Sequence, residues 1–476
     1  MAITKVDFTE WLPDQPGVTG VMTEVKNVYP LATGYGPLNS VADYSAAASE
    51  NLRNVFARRS GSTTNLFAAG QTKIFKYDSG DTSLDDVSKA GGYTTATDER
   101  FRFAQFGKVV LAANGTDKIQ AWTLGSSTAF ADVSADAPTA HHITVVRDFV
   151  VGGNTSANPN RVYWSDINDE TNWTSGATSQ ADYQDIADGG DIMGISGGEF
   201  GLILTERSIV RMTYVGSPLF FQFDNIARGI GCLNANSIAQ FGNVTFFLSD
   251  DGFYSCDGQG IKTIGAEKVD RFFFNDVNLN KLSEMSAAVD PVKKLVIWNY
   301  TDTFAQKKQL IYNWQLNRWS YSELDSDYIN GVYTPTLALE ALDAYGTMDS
   351  LTVSLDSRQW AGGALLLAGV RDNKIIAFTG SRQTPSLITG DLNIPGARSV
   401  VTLAKPLVDN GSASVTIASR VNLDDSLTYG TLTAADDENR VSLRSAGRYH
   451  RLKVVPSGNW TAAMGLDVDI NPQGNR

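Results

Sequence analysis

The sequence predicts an all-β fold, and three observations carry that prediction. The first is composition: 476 residues include 43 glycines, 22 phenylalanines, 17 tyrosines and 9 tryptophans, the residues of tight turns and of strands. The second is a repeated frame. Residues 101–122 read as FRFAQF, Gly107-Lys108, VVLAAN, Gly115 and KIQAW, and residues 237–256 as SIAQF, Gly242-Asn243, VTFFLS, Asp251-Gly252 and FYSC. The tetrapeptide Ala-Gln-Phe-Gly occupies the same place in both, at 104–107 and 239–242. Gly-X and Asn-Gly pairs suit two-residue hairpin turns because they accept positive φ. The third is spacing. Looser copies centre on Leu66, Val109, Phe149, Leu202, Val244, Leu295 and Leu365, in steps of 43, 40, 53, 42, 51 and 70 residues. Strand groups recurring about every 40–50 residues are the signature of propeller blades. The expected fold is therefore an irregular β-propeller of six or seven blades with an N-terminal extended arm and a C-terminal β-sandwich.

Each part follows from its local pattern. Residues 1–49 are the expected arm: 11–37 are rich in Pro and Gly and show no helical period. Trp11, Val28, Tyr29 and Tyr35 give this segment side chains that need something to pack on. Residues 2–10 carry Lys5 and Asp7 with no apolar run behind them, unlike a secretory signal. Residues 50–384 are the expected propeller, with the longest step placing an insertion at about 323–355. No Gly-His…Trp-Asp pattern recurs, against WD40 blades, and glycine pairs hold no fixed blade position, against kelch. A short helix is expected within 267–283. Residues 385–476 alternate apolar and polar residues in SVVTLAKPLV, SASVTIASRV and YHRLKVV, separated by Asp, Gly and Asn, and read as a separate sandwich.

Charge and chemistry narrow the function. The net charge is -13. Residues 385–476 hold nine basic and nine acidic residues, so the excess lies in 1–384, with 30 against 43. That balance opposes a protein that grips phosphates through a basic face. No stretch approaches the roughly 18 apolar residues of a membrane span. Cys232 and Cys256 make no disulfide framework or zinc motif and are expected to be half-buried thiols. His141 and His142 are neighbours on an expected strand, so their side chains diverge and do not form a metal pair. His450, in GRYHRLKV, is expected to make a structural hydrogen bond. The acidic pairs Asp250-Asp251, Asp424-Asp425 and Asp436-Asp437 sit beside turn residues and bond their own backbone. YWSDINDETNW (163–173) is similar to the Asp-box turn of sialidase-type propellers but lacks its glycine; Ser165, Asp166 and Asn168 read as turn makers, Trp164 and Trp173 as packing residues. The basic groups Arg53, Arg58, Arg59 and Arg440, Arg444, Arg448, Arg451, Lys453 read as solvated or interface charges. No catalytic, cofactor or metal set emerges, and the chain is expected not to be an enzyme.

Several stretches, in order, resemble one family. They are Leu12-Pro13-Asp14-Gln15-Pro16, Lys26-Asn27-Val28-Tyr29-Pro30 and Gly34-Tyr35-Gly36-Pro37; then Tyr163-Trp164-Ser165-Asp166 to Trp173 and Ser208-Ile209-Val210; then Leu355-Asp356-Ser357-Arg358-Gln359-Trp360-Ala361-Gly362-Gly363; and finally Gly447-Arg448-Tyr449-His450-Arg451 and Gly465-Leu466-Asp467-Val468-Asp469. Together they resemble the tail hub, or nozzle, proteins of short-tailed bacteriophages (podoviruses), also called packaged-DNA stabilization proteins. The resemblance implies a structural virion protein made in the host cytoplasm. It implies a homohexameric ring below the portal and head-tail adaptor, closed by a tail needle or plug and carrying tail fibres or tailspikes. Double-stranded DNA would cross the lumen without specific binding. Trp11, Leu12, Pro13, Tyr29 and Tyr35, aromatic and proline anchors of the arm, are the candidate interface residues, with burial against the chain's own propeller as the alternative, and removing 1–37 should impair assembly. The alternative from the residues alone is a propeller that binds or cleaves glycans.

Overall fold

The protein is described by a computed structural model covering residues 3–17, 20–60, 63–333, 365–395 and 397–473. It is nearly all β. Seven antiparallel four-stranded units follow one another, at residues 54–86, 102–132, 142–185, 192–228, 239–263, 286–323 and 328–377. All seven repeat centres read from the sequence fall in the second strand of a unit, from Leu66 in Thr63–Ala69 to Leu365 in Leu365–Arg371. The two Ala-Gln-Phe-Gly copies share one microstructure. Gly107 and Gly242 take φ of 55° and 59°, and the preceding glutamine amides, Gln105 and Gln240, donate to the Gly107 and Gly242 carbonyls at 2.8 and 2.9 Å.

The first strands of most consecutive units lie side by side, and that of the seventh, Tyr328–Tyr333, lies against that of the first, Asn54–Ser60. The fourth and fifth units join through the Ser196 and Thr245 hydroxyls, 2.8 Å apart, and through the Gln240 amide donating to the Gly197 carbonyl. At the closure the Asn330 amide donates to the Val55 carbonyl at 2.8 Å. The seventh unit takes its fourth strand from the other end of the chain: Ala42–Asp43 pairs antiparallel with Lys374–Ala377, and Asp43 accepts from Arg371 and Lys374, both at 2.7 Å. Of the expected insertion at 323–355, residues 334–355 lie outside the described residues, as does the motif Leu355–Gly363; 328–333 form a strand.

Residues 3–43 do not stand apart from the rest. Ile3–Asp7, Val28–Pro30 and Tyr35–Pro37 lie in one sheet with Arg398–Asp409, Val441–Gly447 and Ala462–Gln473. Glu24–Lys26 enters a second sheet between Arg318–Glu323 and Ser386–Ile388, and so splices the sixth unit to Tyr449–Ser457 and Ser412–Arg420. One hydrophobic core runs through both sheets and the sixth unit, from Trp11, Val25 and Val28 to Trp298 and Trp319 and on to Val415, Trp460 and Leu466. Gly34 shows why this threading needs its sequence. Its φ is +76°, and a Cβ there would stand 1.9 Å from the Ala463 carbonyl oxygen.

The expected helix is α1 (Asp270–Asp276), followed by a 3-10 turn at Leu279–Glu284. Its capping group comes from the N-terminal segment: the Asp14 carboxylate accepts from the Arg271 and Phe272 amides at 2.9 and 2.7 Å. Such carboxylates satisfy orphan amides of a first turn. Asp270 itself is 9% exposed. Burial pushes its carboxyl up to about 7, against the hydrogen bond from the Phe253 amide, with Asp14 and Asp251 adding repulsion. Its ordinary value is 3.8, so the folded chain holds this proton more tightly than the unfolded one. Its contribution is complete below about pH 4 and lost as pH rises through about 7. Wild-type melting points should therefore fall from pH 5 to pH 8, by the equivalent of about 3 kcal/mol at roughly 1.4 kcal/mol per unit. Asp270→Asn should flatten that part of the profile; parallel profiles would refute it.

Candidate functional site

The candidate interface residues divide by burial. Trp11 is 1% exposed and Tyr35 fully buried. The Trp11 ring packs on Phe272 and Tyr321, each with centroids 5.1 Å away. The Tyr35 hydroxyl donates to the Thr9 carbonyl at 2.7 Å, and burial pushes the phenol up to about 12. The Arg318 guanidinium lies 4.8 Å over the Tyr35 ring and donates to the carbonyls of Thr9 and Leu31, both at 2.7 Å. Trp11 and Tyr35 thus serve the chain's own core. Leu12, Pro13 and Tyr29 are half-buried and are the members of the set that present surface. Lys293 sits 4.6 Å over the Tyr29 ring.

The two chain ends are locked together near them. Asp391, its side chain 1% exposed, pairs with Arg420 at 2.6 Å and with Arg451 at 2.8 Å. The Asp391 amide donates to the Gly17 carbonyl at 2.9 Å. Arg451, expected in a solvated basic group, is therefore half of a buried ion-pair cluster. His450 is buried between the Ser399 and Ser419 hydroxyls, at 2.9 and 2.6 Å, a structural setting in line with its expected role. Cys232 and Cys256 correct the expectation of half-burial: both are fully buried and free, and burial pushes both thiols up, Cys232 to about 12. At 163–173 the expected turn makers hold. Asp166 accepts from the Ile167 and Gln180 amides, Asn168 takes φ of 56°, and Trp164 is buried.

A second site lies where residues of all seven units converge. A cavity of about 330 Å³ is lined by the first strands, or the residues leading into them, of all seven units. In this acidic chain its polar wall is basic. Arg100, 8% exposed, donates through Nε to the Asn236 amide oxygen at 2.9 Å and through a terminal nitrogen to the Met285 carbonyl. Its guanidinium lies 4.8 Å over Tyr328. Burial, with the neighbouring charge of Arg102, brings Arg100 down to about 9, so it stays charged at neutral pH. Arg102 donates to the same Asn236 oxygen at 3.0 Å and pairs with Glu99 at 3.1 Å. Burial alone would raise the Glu99 carboxyl; the hydrogen bond from His141 and the charge of Arg102 bring it down to about 2. Arg58 also lines the cavity, its guanidinium 3.9 Å over Phe56.

No known protein family and no curated protein matches the chain. Solved structures give slight likenesses only. One is the computationally designed Ika8 protein, with TM-score 0.38 and 9% identity over 72% of this chain and 98% of that one. Another is the extracellular domain of the putative one component system BT4673 from B. thetaiotaomicron, with TM-score 0.37 and 10% identity, covering 97% of this chain and 58% of that one. Likeness this slight bears on neither the fold nor the function of this chain.

Sequence reading singled out Arg58 but passed over Arg100 and Arg102. Their signal is positional: in this repeat, the residues entering a first strand are those that reach the cavity.

Proposed function

We propose that the chain is a seven-bladed β-propeller whose two ends join in a β-sandwich module, and that it serves as the tail hub of a short-tailed phage. In that role it extends the portal–adaptor channel, retains packaged DNA, conducts it on ejection, and carries fibres, spikes or a plug. One observation carries the reading. Tail-hub-like motifs from distant parts of the sequence share one sheet and one core: Val28–Pro30 and Tyr35–Pro37 lie in a sheet with Ala462–Gln473, and Val28 and Tyr35 pack in the same core as Leu466 and Val468.

The acidic balance supports the conducting role. Each neutralised phosphate releases counterions and adds affinity, so a basic lumen would retard DNA, whereas an acidic wall repels it over about 8–10 Å. The test is assembly. Purified protein mixed with a portal–adaptor complex should form six-fold rings on it in negative stain, with a negative potential along the lumen. Tyr29→Ala should abolish docking while lowering the melting point by only a few degrees, since Tyr29 is half-buried against the core. A chain that ignores the portal–adaptor complex and binds a glycan instead would favour the alternative propeller reading, whose natural cleft is the cavity lined by Arg100 and Arg102.

A further inference from the structure

We propose that the cavity shared by the seven units binds a small oxyanion, a phosphate or carboxylate group, between Arg100 and Arg102. The inference is independent of the tail-hub reading. It starts from an imbalance: two guanidinium groups converge on a single acceptor, the Asn236 amide oxygen, at 2.9 and 3.0 Å. Like charges held this close repel, and burying a charge without a counter-ion is costly. Among the described residues Glu99 pairs with Arg102, and no carboxylate pairs with Arg100. Hydrogen bonds to Asn236 and Met285 use two of the five N–H groups of Arg100.

The acceptor is held in place rather than free to swing away. The Asn236 side-chain amide donates to the Ser283 carbonyl at 2.9 Å, and its backbone amide is held by Asn234 at 3.0 Å. Two forks fixed side by side suit the oxygens of one anion, because guanidinium groups recognise such groups through paired N–H donors. A volume of about 330 Å³ lies at the small end of small-molecule pockets, so the anion is a free ion or the head of a small metabolite.

The probes are sodium phosphate, sulfate and citrate, compared with sodium chloride at equal ionic strength on the full chain. The expected result is a calorimetric Kd of about 1 mM or tighter for at least one oxyanion, and a melting point raised by about 1–2 °C at about ten times that Kd. Preference for phosphate and sulfate over citrate identifies a tetrahedral head group; the reverse order identifies a carboxylate. Arg102→Gln should weaken binding at least tenfold. Arg100→Met should abolish it; because that change also strands the Asn236 and Met285 acceptors, its unliganded melt is read first to establish that it folds. Two results overturn the proposal: no oxyanion-specific heat or melting shift in the wild type, which needs no variant to fold, or undiminished binding by a folded Arg102→Gln protein.

Discussion

Deleting residues 1–37 is expected to abolish cooperative folding of the module that holds both chain ends, before any question of assembly arises. The deletion removes strands from both of the module's sheets, including the splice at Glu24–Lys26. It also takes Phe8, Trp11, Met22, Val25, Val28 and Tyr35 out of the shared core. Truncating one large buried side chain costs about 2–5 kcal/mol, so losing six exceeds the roughly 5–15 kcal/mol that holds a typical domain together. Arg318, which donates to the carbonyls of Phe8, Thr9 and Leu31, would be left buried without acceptors. The check is a thermal melt by near-ultraviolet circular dichroism with limited proteolysis. The truncated chain should lose tertiary signal and be cut within 386–473. A single transition at the wild-type temperature would refute this. Loss of assembly on truncation therefore says little about docking, which is why the point change at Tyr29 is the cleaner probe.

Asp391→Ala is the second large effect, an expected loss of about 3–5 kcal/mol. Removing one member of a buried ionic group strands its partners, and here two arginines depend on one carboxylate. The Arg420 and Arg451 side chains are only 11% and 19% exposed, so water cannot replace Asp391 fully. Urea unfolding should show a lower midpoint. Replacing all three residues together, Asp391→Leu with Arg420→Met and Arg451→Met, should restore most of the loss, because it removes charge and counter-charge at once. A single-variant loss below about 1 kcal/mol, the range of an exposed pair, would show the cluster to be peripheral.

The repeat was legible because of where burial falls. The second strand of a unit is covered on both faces: Phe149–Gly153, Gly201–Thr205 and Leu295–Thr301 are buried at every residue. Such strands read as short continuous apolar runs, and each repeat centre lies in one. The closing strand Ala42–Asp43 was invisible because two residues carry no alternation. The threading of residues 3–37 was half legible: Trp11 and Tyr35 announced a need for packing, but not that residues more than 400 positions away in sequence would supply part of it. Asp391 was hidden for a different reason. A lone acid in an electrically neutral segment has no pattern, and its worth lies in two partners brought in by separate strands. Arg100 and Arg102 were hidden because only the folded chain brings the starts of seven separate strand groups to one cavity.

The pairing of Lys5 with Asp467 and of Ala42 with Ala377 has a consequence for biosynthesis. Among the early strands, Ile3–Asp7 pairs with Ala462–Gln473, which is made late. At about 5–20 residues per second, Ile3–Asp7 waits roughly 20–90 s for its neighbour to be made. During that wait the core that Trp11, Val25 and Tyr35 share with Leu466 and Val468 stays incomplete, so a polypeptide stopped short of those residues is expected to be more readily proteolysed than the full chain.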